Sequence, residues 1–176
     1  MEFRQTSIEG LIEIYPRIFG DDRGYFLESY HKKAFSDNGI PFDFVQDNQS
    51  LSSAGVLRGL HFQKDPHAQG KLVRVIIGKA LDVAVDLRPE SPTFGQYQKF
   101  LLDAELQNMV YIPAGFAHGF LALEKCLFTY KCTQFYNKAS EGGIIWNDPD
   151  LAIDWGIEHP NISPKDLELP KLKELF

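Results

Sequence analysis

The sequence predicts an all-β fold of the sandwich, jelly-roll or barrel class, carrying only a few short helices. Short apolar runs alternate with polar residues and end at Gly, Pro, Asp or Asn, the period-two pattern of strands with one buried face. Helical periodicity is scarce, so stacked or closed sheets must bury the core. A chain of 176 residues, 44% of them apolar, has material for one such core and carries no repeat, low-complexity tract or linker, so residues 1–176 read as one domain.

The elements follow in order. A first strand is expected at Tyr25–Tyr30, then a short helix over Lys32–Asn38 that Gly39 and Pro41 stop. Val56–Phe62 reads as a strand. Val73, Val75 and Ile77 share a face with Lys71, and Gly78-Lys79 reads as the turn to the next strand. There Leu81, Val83, Val85 and Leu87 alternate with Asp82, Ala84, Asp86 and Arg88, which predicts one buried face and one polar face. Further strands are expected at Tyr97–Leu102, Met109–Ile112, His118–Leu123 and Leu127–Phe135. Near the C-terminus Ser163-Pro164-Lys165-Asp166 is a helix start, with Ser as N-cap, Pro at N1 and an acid at N3.

Composition narrows the function. A formal net charge of −6 argues against nucleic acid or an anionic membrane as the main partner. No apolar run approaches the ~20 residues that span a bilayer, and the first residues have no signal-peptide shape. Cys126 and Cys132 lie in one expected strand, roughly 20 Å apart at ~3.3 Å per residue and out of disulfide reach. Free thiols in such a chain point to the cytoplasm. No G-x-G-x-x-G, phosphate-binding loop, G-x-S-x-G or zinc-type Cys/His cluster occurs, so no cofactor is expected.

Five residues stand out chemically. The run Val56–Gln63 places Arg58 and His61 in a strand otherwise built for burial. An exposed Arg and a hydrogen-bonded core His explain that equally well. Lys71 shares parity with apolar residues, where an unpaired ammonium is expensive and an oxyanion-stabilising lysine would belong. It can instead sit at the strand's mouth and snorkel to water. Tyr130, between Phe128 and Cys132, reads as an ordinary core tyrosine or as an acid, and Asp166 as a helix-start acid or as a partner for a base.

Pro113-x-Gly115-x-x-His118 resembles the second motif of the cupin barrels, whose histidine usually binds metal. The other ligands of that set are missing, and two lone histidines, His61 and His118, make a poor divalent site, so no metal is expected.

A longer series of motifs is more specific. It comprises Asp22-Arg23-Gly24-Tyr25-Phe26, Gln46-Asp47-Asn48-Gln49-Ser50, Leu57-Arg58-Gly59-Leu60-His61-Phe62-Gln63 and Gln69-Gly70-Lys71-Leu72-Val73-Arg74-Val75. It continues through Ser91-Pro92-Thr93-Phe94-Gly95, Ile112-Pro113-Ala114-Gly115-Phe116-Ala117-His118-Gly119-Phe120, Tyr130-Lys131-Cys132-Thr133, Trp146-Asn147-Asp148-Pro149-Asp150 and Ser163-Pro164-Lys165-Asp166. In this order, and through nearly the whole chain, the series resembles the dTDP-4-dehydrorhamnose 3,5-epimerase family of cupin-like jelly-roll barrels.

That resemblance implies proton transfer at C3 and C5 of a dTDP-4-keto-6-deoxyhexose, beside its C4 ketone. His61 matches the base, Asp166 its partner, Tyr130 the acid on the opposite face of the sugar and Lys71 the residue that steadies the enolate. Arg23, Glu28, Gln46, Asp47, Asn48, Arg58, His118, Glu141 and Lys165 match substrate-binding positions, and Tyr136 the aromatic that stacks on thymine. The family's homodimer, whose N-terminal segment lends residues to the partner's site, is implied too. The chemistry is not redox, in keeping with the missing nucleotide-cofactor motif. A single-carbon epimerase, a metal-dependent cupin oxygenase or isomerase, and a non-catalytic sugar-binding cupin are the rival readings.

Overall fold

The computed structural model describes residues 1–175. Thirteen strands are assigned: β1 Glu2–Gln5, β2 Ile12–Tyr15, β3 Ile18–Asp21, β4 Gly24–Leu27, β5 Gln46–Ser52, β6 Leu57–Gln63, β7 Lys71–Ile77, β8 Lys79–Asp86, β9 Tyr97–Asp103, β10 Met109–Ile112, β11 Phe116–Ala122, β12 Cys126–Cys132 and β13 Glu141–Gly143. The helices are short: α1 at Lys32–Asp37, capped by His31, and α2 at Pro164–Leu167, capped by Ser163. One sheet has the order β1-β2-β10-β7-β12-β5 and the other β13-β6-β11-β8-β9, all pairs antiparallel. Together they form the cupin-like jelly roll.

Apolar side chains fill three layers. Between the sheets lie Val73, Val75, Ala84, Phe100, Leu102, Val110, Phe120 and Phe128, with Phe120 and Phe128 stacked at 4.0 Å. The outer face of the six-stranded sheet (Ile12, Ile14, Leu72, Met109, Tyr111) is covered by Phe35 of α1 and by Ile40. The outer face of the five-stranded sheet (Leu57, Leu60, Val83, Val85, Leu121) is covered by the chain after residue 143, through Ile144, Leu151, Ile153 and Trp155. Asp148 ties that last segment down: it is 1% exposed and accepts from the N–H groups of Asp150, Leu151 and Leu172.

Several expectations need correction. Strand Lys79–Asp86 is buried on both faces: Asp82 and Asp86 are 0% exposed because they lie on the inward face with Ala80 and Ala84, while the C-terminal segment covers Val83 and Val85 on the outer face. Gly78 is the turn between two strands, as expected, and because these belong to different sheets it forms a corner. Its φ of +78° and the 2.2 Å that an added Cβ would leave to the Lys125 carbonyl both demand glycine. Ile77 leaves the face of Lys71 and is 54% exposed, because a register shift between Leu127 and Phe128 breaks the alternation. The strand expected at Tyr25–Tyr30 is only Gly24–Leu27, paired with β3 in a hairpin whose Phe19, Tyr25 and Phe26 are at least half exposed.

Candidate active site

A cavity of about 700 Å³ opens between the sheets, within the range of small-molecule sites. Its lining includes Asn48, Arg58, His61, Lys71, His118, Tyr130, Lys165 and Asp166. A smaller recess shares His61, Lys71, Tyr130 and Asn48 and adds Gln46, Tyr136 and Glu141.

The two walls differ in chemistry. The five-stranded sheet carries Arg58 and His61 on β6 and His118 on β11. Simple alternation would send Arg58 and His61, three residues apart, to opposite faces. The register shift that pairs His118 with His61 but Phe120 with Arg58 brings both into the cavity. Gly59 makes the shift possible: its φ is +115°, and an added Cβ would lie 2.6 Å from the Gly119 Cα and 2.7 Å from the His118 carbonyl oxygen.

His61 Nε2 lies 2.8 Å from Asp166 Oδ1, a residue 105 positions away. The Gly59 N–H donates to the other oxygen of Asp166, and the Asp166 N–H to the Ser163 cap. Burial opposes ionisation of Asp166, but His61, Gly59 and Ser163 outweigh it and hold the carboxyl below its ordinary range. The Ser163 cap thus fixes the backbone of Asp166 while its carboxylate holds the histidine and the Gly59 N–H.

The six-stranded sheet carries Asn48 on β5, Lys71 on β7 and Tyr130 on β12. Lys71 opens onto the cavity floor, and burial pushes its pKa down against the opposing pull of Cys132 and Asp82. Burial pushes the Tyr130 phenol up, so it keeps its proton at neutral pH. Among the described residues its hydroxyl makes no protein hydrogen bond, so it has no structural partner. Cys132, opposite Lys71 in the register, accepts from Asn48 at 3.6 Å.

At the rim, Lys165 donates to Glu141 Oε1 at 2.7 Å and the Tyr136 hydroxyl to Oε2 at 3.1 Å. The Lys165 bond draws the Glu141 carboxyl below its ordinary range. Gln46 accepts from the Tyr136 N–H at 2.9 Å and so fixes that aromatic's backbone.

Three candidates are not brought to the cavity. Arg23 and Glu28 are exposed on or beside the hairpin, with Arg23 paired to Asp21. Asp47 points to the outer face of its sheet and pairs with Lys131 at 2.9 Å.

Asp82 was missed. It is fully buried, with Oδ2 2.6 Å from His118 Nε2, and it hid because a strand aspartate reads as solvent-facing. Its strand neighbours of the same parity, Ala80 and Ala84, are the signal: small residues mark a face that meets a packed layer. As for metals, no group of three or more His, Cys, Asp or Glu side chains converges among the described residues. Each cavity histidine is instead held by a carboxylate. Nor is any described helix long and apolar enough to cross a membrane.

Comparison with known proteins agrees with this geometry. The family model for dTDP-4-dehydrorhamnose 3,5-epimerase matches residues 5–174. The Escherichia coli K12 protein of that name is 50% identical over 179 residues, covering 100% of this chain and 97% of its own. The solved dTDP-6-deoxy-D-glucose-3,5-epimerase of Legionella pneumophila, in complex with dTDP-4-keto-L-rhamnose, superposes with a TM-score of 0.95 at 47% identity, covering 99% of this chain and 94% of that one. A 3'-monoepimerase from Streptomyces bikiniensis, in complex with dTDP-quinovose, gives a TM-score of 0.90 at 36% identity, covering 96% and 86%. A match over nearly every residue, with these side chains gathered in one cavity, leads to one conclusion: the chain belongs to the dTDP-4-dehydrorhamnose 3,5-epimerase family.

Proposed function

We propose that this chain is a dTDP-4-dehydrorhamnose 3,5-epimerase, an isomerase that inverts C3 and C5 of dTDP-4-keto-6-deoxy-D-glucose on the way to dTDP-L-rhamnose. One observation carries the reading: His61 and Tyr130 face a common cavity from different sheets. Inversion next to a ketone needs a proton removed from one face of the ring and another delivered to the opposite face. A sugar between the sheets meets a base on one wall and an acid on the other.

In the proposed course His61 removes the C5 proton as the C–H electrons pass to O4 and make an enolate. An imidazole suits this because its ordinary pKa of ~6.5 lies near working pH. Asp166 orients the ring and stabilises the imidazolium that forms. Lys71 meets the charge on O4 as it develops, where preorganised charge in a dry site contributes most. Tyr130 then returns a proton to the opposite face of C5, and the cycle repeats at C3. No electron leaves the substrate.

Arg58 suits the diphosphate, with bidentate donors that match phosphate oxygens. Gln46, Asn48 and His118 line the sugar's surroundings, and Tyr136, held by Gln46 and Glu141, supplies a face for the thymine beside Lys165. Arg23, Glu28 and Asp47 are assigned to a second copy's site or to the seam between copies. The exposed aromatic hairpin at residues 18–27 supports that assignment, since a homodimer would bury it and carry Arg23 and Glu28 into the partner's cavity. The compartment proposed is the cytoplasm, where Cys126 and Cys132 stay reduced.

The likeness to a 3'-monoepimerase favours one second reading, inversion of a single carbon. Incubation with dTDP-4-keto-6-deoxyglucose in D2O, followed by NMR, decides between them. Deuterium at both C3 and C5, and dTDP-L-rhamnose on adding the next reductase with NADPH, is the expected outcome. Exchange confined to one carbon without that product would replace the double epimerase by the single-carbon enzyme.

A further inference from the structure

Beneath the cavity floor lies a carboxylate that the proposed reaction does not use. Asp82 sits on β8, the strand between β11 and β9, and is 0% exposed. His118 engages Oδ2 at 2.6 Å, while Oδ1 is buried and has no hydrogen-bond partner among the described residues. An unpaired carboxylate oxygen out of water is unfavourable, so its retention asks what it faces. Asp82 is not among the residues that line the cavity.

The charge it acts on belongs to the opposite sheet. Lys71 projects inward from β7, and two groups favour its protonated form against desolvation: Cys132, its cross-strand neighbour, and Asp82. The cavity groups around Lys71 are Asn48 from β5, Arg58 and His61 from β6, His118 from β11 and Tyr130 from β12. Arg58 is cationic, Asn48 is neutral, and the phenol keeps its proton. Cys132 is buried, and its thiol is pushed above the ordinary range, so it carries no charge at neutral pH. Asp166 turns its oxygens to His61 and Gly59, and Glu141, which shares the smaller recess with Lys71, turns its own to the Lys165 ammonium and the Tyr136 hydroxyl. Asp82 is therefore the carboxylate left to balance the Lys71 ammonium.

We propose that Asp82 is a positioning residue that holds Lys71 as an ammonium at the cavity floor, with His118 fixing the carboxylate by its other oxygen so that Oδ1 stays free. The arrangement acts at a distance: Asp82 forms no ion pair with Lys71, so the ammonium remains available to an enolate oxygen. A direct ion pair would spend that charge inside the protein, and no counter-charge would let desolvation strip its proton. This inference rests on the reading of Lys71 as the enolate's partner.

The test reads the proton on Lys71 directly. Asp82→Asn keeps the side chain's shape, and competitive acetylation with acetic anhydride across pH, read on the Lys71 peptide by mass spectrometry, titrates the amine without turnover. Asp82→Asn is expected to move that titration down by about one pH unit or more. It should lower kcat about tenfold or more, draw in the alkaline limb of the kcat profile by the same interval, and leave KM nearly unchanged. An unmoved Lys71 titration overturns the inference, as does a raised KM with kcat intact, which would place Asp82 on the substrate. A shifted titration with unchanged kcat upholds the pairing and refutes the role given to Lys71. Should Asp82→Asn not fold, Lys71→Gln gives a second reading. Added to Asp82→Asn, it removes the ammonium left without a counter-charge, so the double variant should regain a cooperative melting transition that the single variant lacks. A double variant as poorly folded as Asp82→Asn alone would overturn the pairing.

Discussion

Replacing Tyr130 by Phe separates its chemical role from its structural one. The ring packs against Phe128, at 6.3 Å between centroids, and Phe preserves that contact. The hydroxyl makes no protein hydrogen bond among the described residues, so its removal forfeits none. The stability cost should stay under about 1 kcal/mol, a melting shift of roughly 2–4 °C at this chain length. The catalytic cost is another matter. Loss of a general acid commonly lowers the rate by ~10²–10⁴, or about 3–5 kcal/mol of barrier. His61 and Lys71 remain, so the enolate still forms, and His61 returns a solvent-exchanged proton to the face it came from. In D2O the substrate should gain deuterium at C5 with configuration retained, while rhamnose formation falls by that factor. Exchange, product configuration and melting temperature are measured on the one variant. Normal inversion per folded molecule, with a melting loss well beyond 4 °C, would refute the reasoning and return Tyr130 to the core.

Three further outcomes are expected. Burial of Asp86 opposes its charge, but Arg88, Ser91 and Thr93 bring its pKa to about 2; against an ordinary value of ~3.8 this is worth about 2 kcal/mol. Because the folded-state pKa is depressed, that stability is present above about pH 4 and lost as pH falls toward 2. Denaturant titrations should therefore show the gap between the parent and Asp86→Asn narrowing over that window. Gly59→Ala pushes a Cβ against Gly119 and the His118 carbonyl at a φ of +115°, so a loss of about 2 kcal/mol or more and severely reduced turnover are expected by melting and assay. Exhaustive chelation should leave turnover unchanged, since the proposed proton transfers require no Lewis acid; recovery of lost activity by one added metal would contradict the site as drawn.

Much of this was legible in the sequence, because period two is a strong local signal. Met109–Ile112 matches its expected bounds, and His61, Lys71, Tyr130 and Asp166 do gather around one cavity. What escaped depends on partners distant in the chain. Asp82 and Asp86 are fully buried because they face the opposite sheet, while the valines between them are covered by a C-terminal layer, and no window around residue 82 reveals either partner. The shared orientation of Arg58 and His61 needs a register shift against Phe120, and Gly59 alone hints at it. Strands β1, β2, β3, β5 and β13 were passed over because they are short, polar or both, and are defined by their neighbours. Two motifs of the family series prove to be braces: the Ser91–Gly95 run secures Asp86, and Asp148 of the Trp146–Asp150 run pins the last segment.

That last segment also sets when the protein can begin to work. The strands that form the barrel walls leave the ribosome before residue 144, whereas Asp166, which completes the His61 pair, is made after them. Until the tail arrives, Leu57, Leu60, Val83, Val85 and Leu121 lie bare on one wall, a surface for chaperones to hold. A chain cut short in that interval has its lysine, tyrosine and histidine in place but no carboxylate behind the histidine. Only a molecule that has added residues 144–166 holds the His61–Asp166 pair, and the same stretch is what covers the apolar wall.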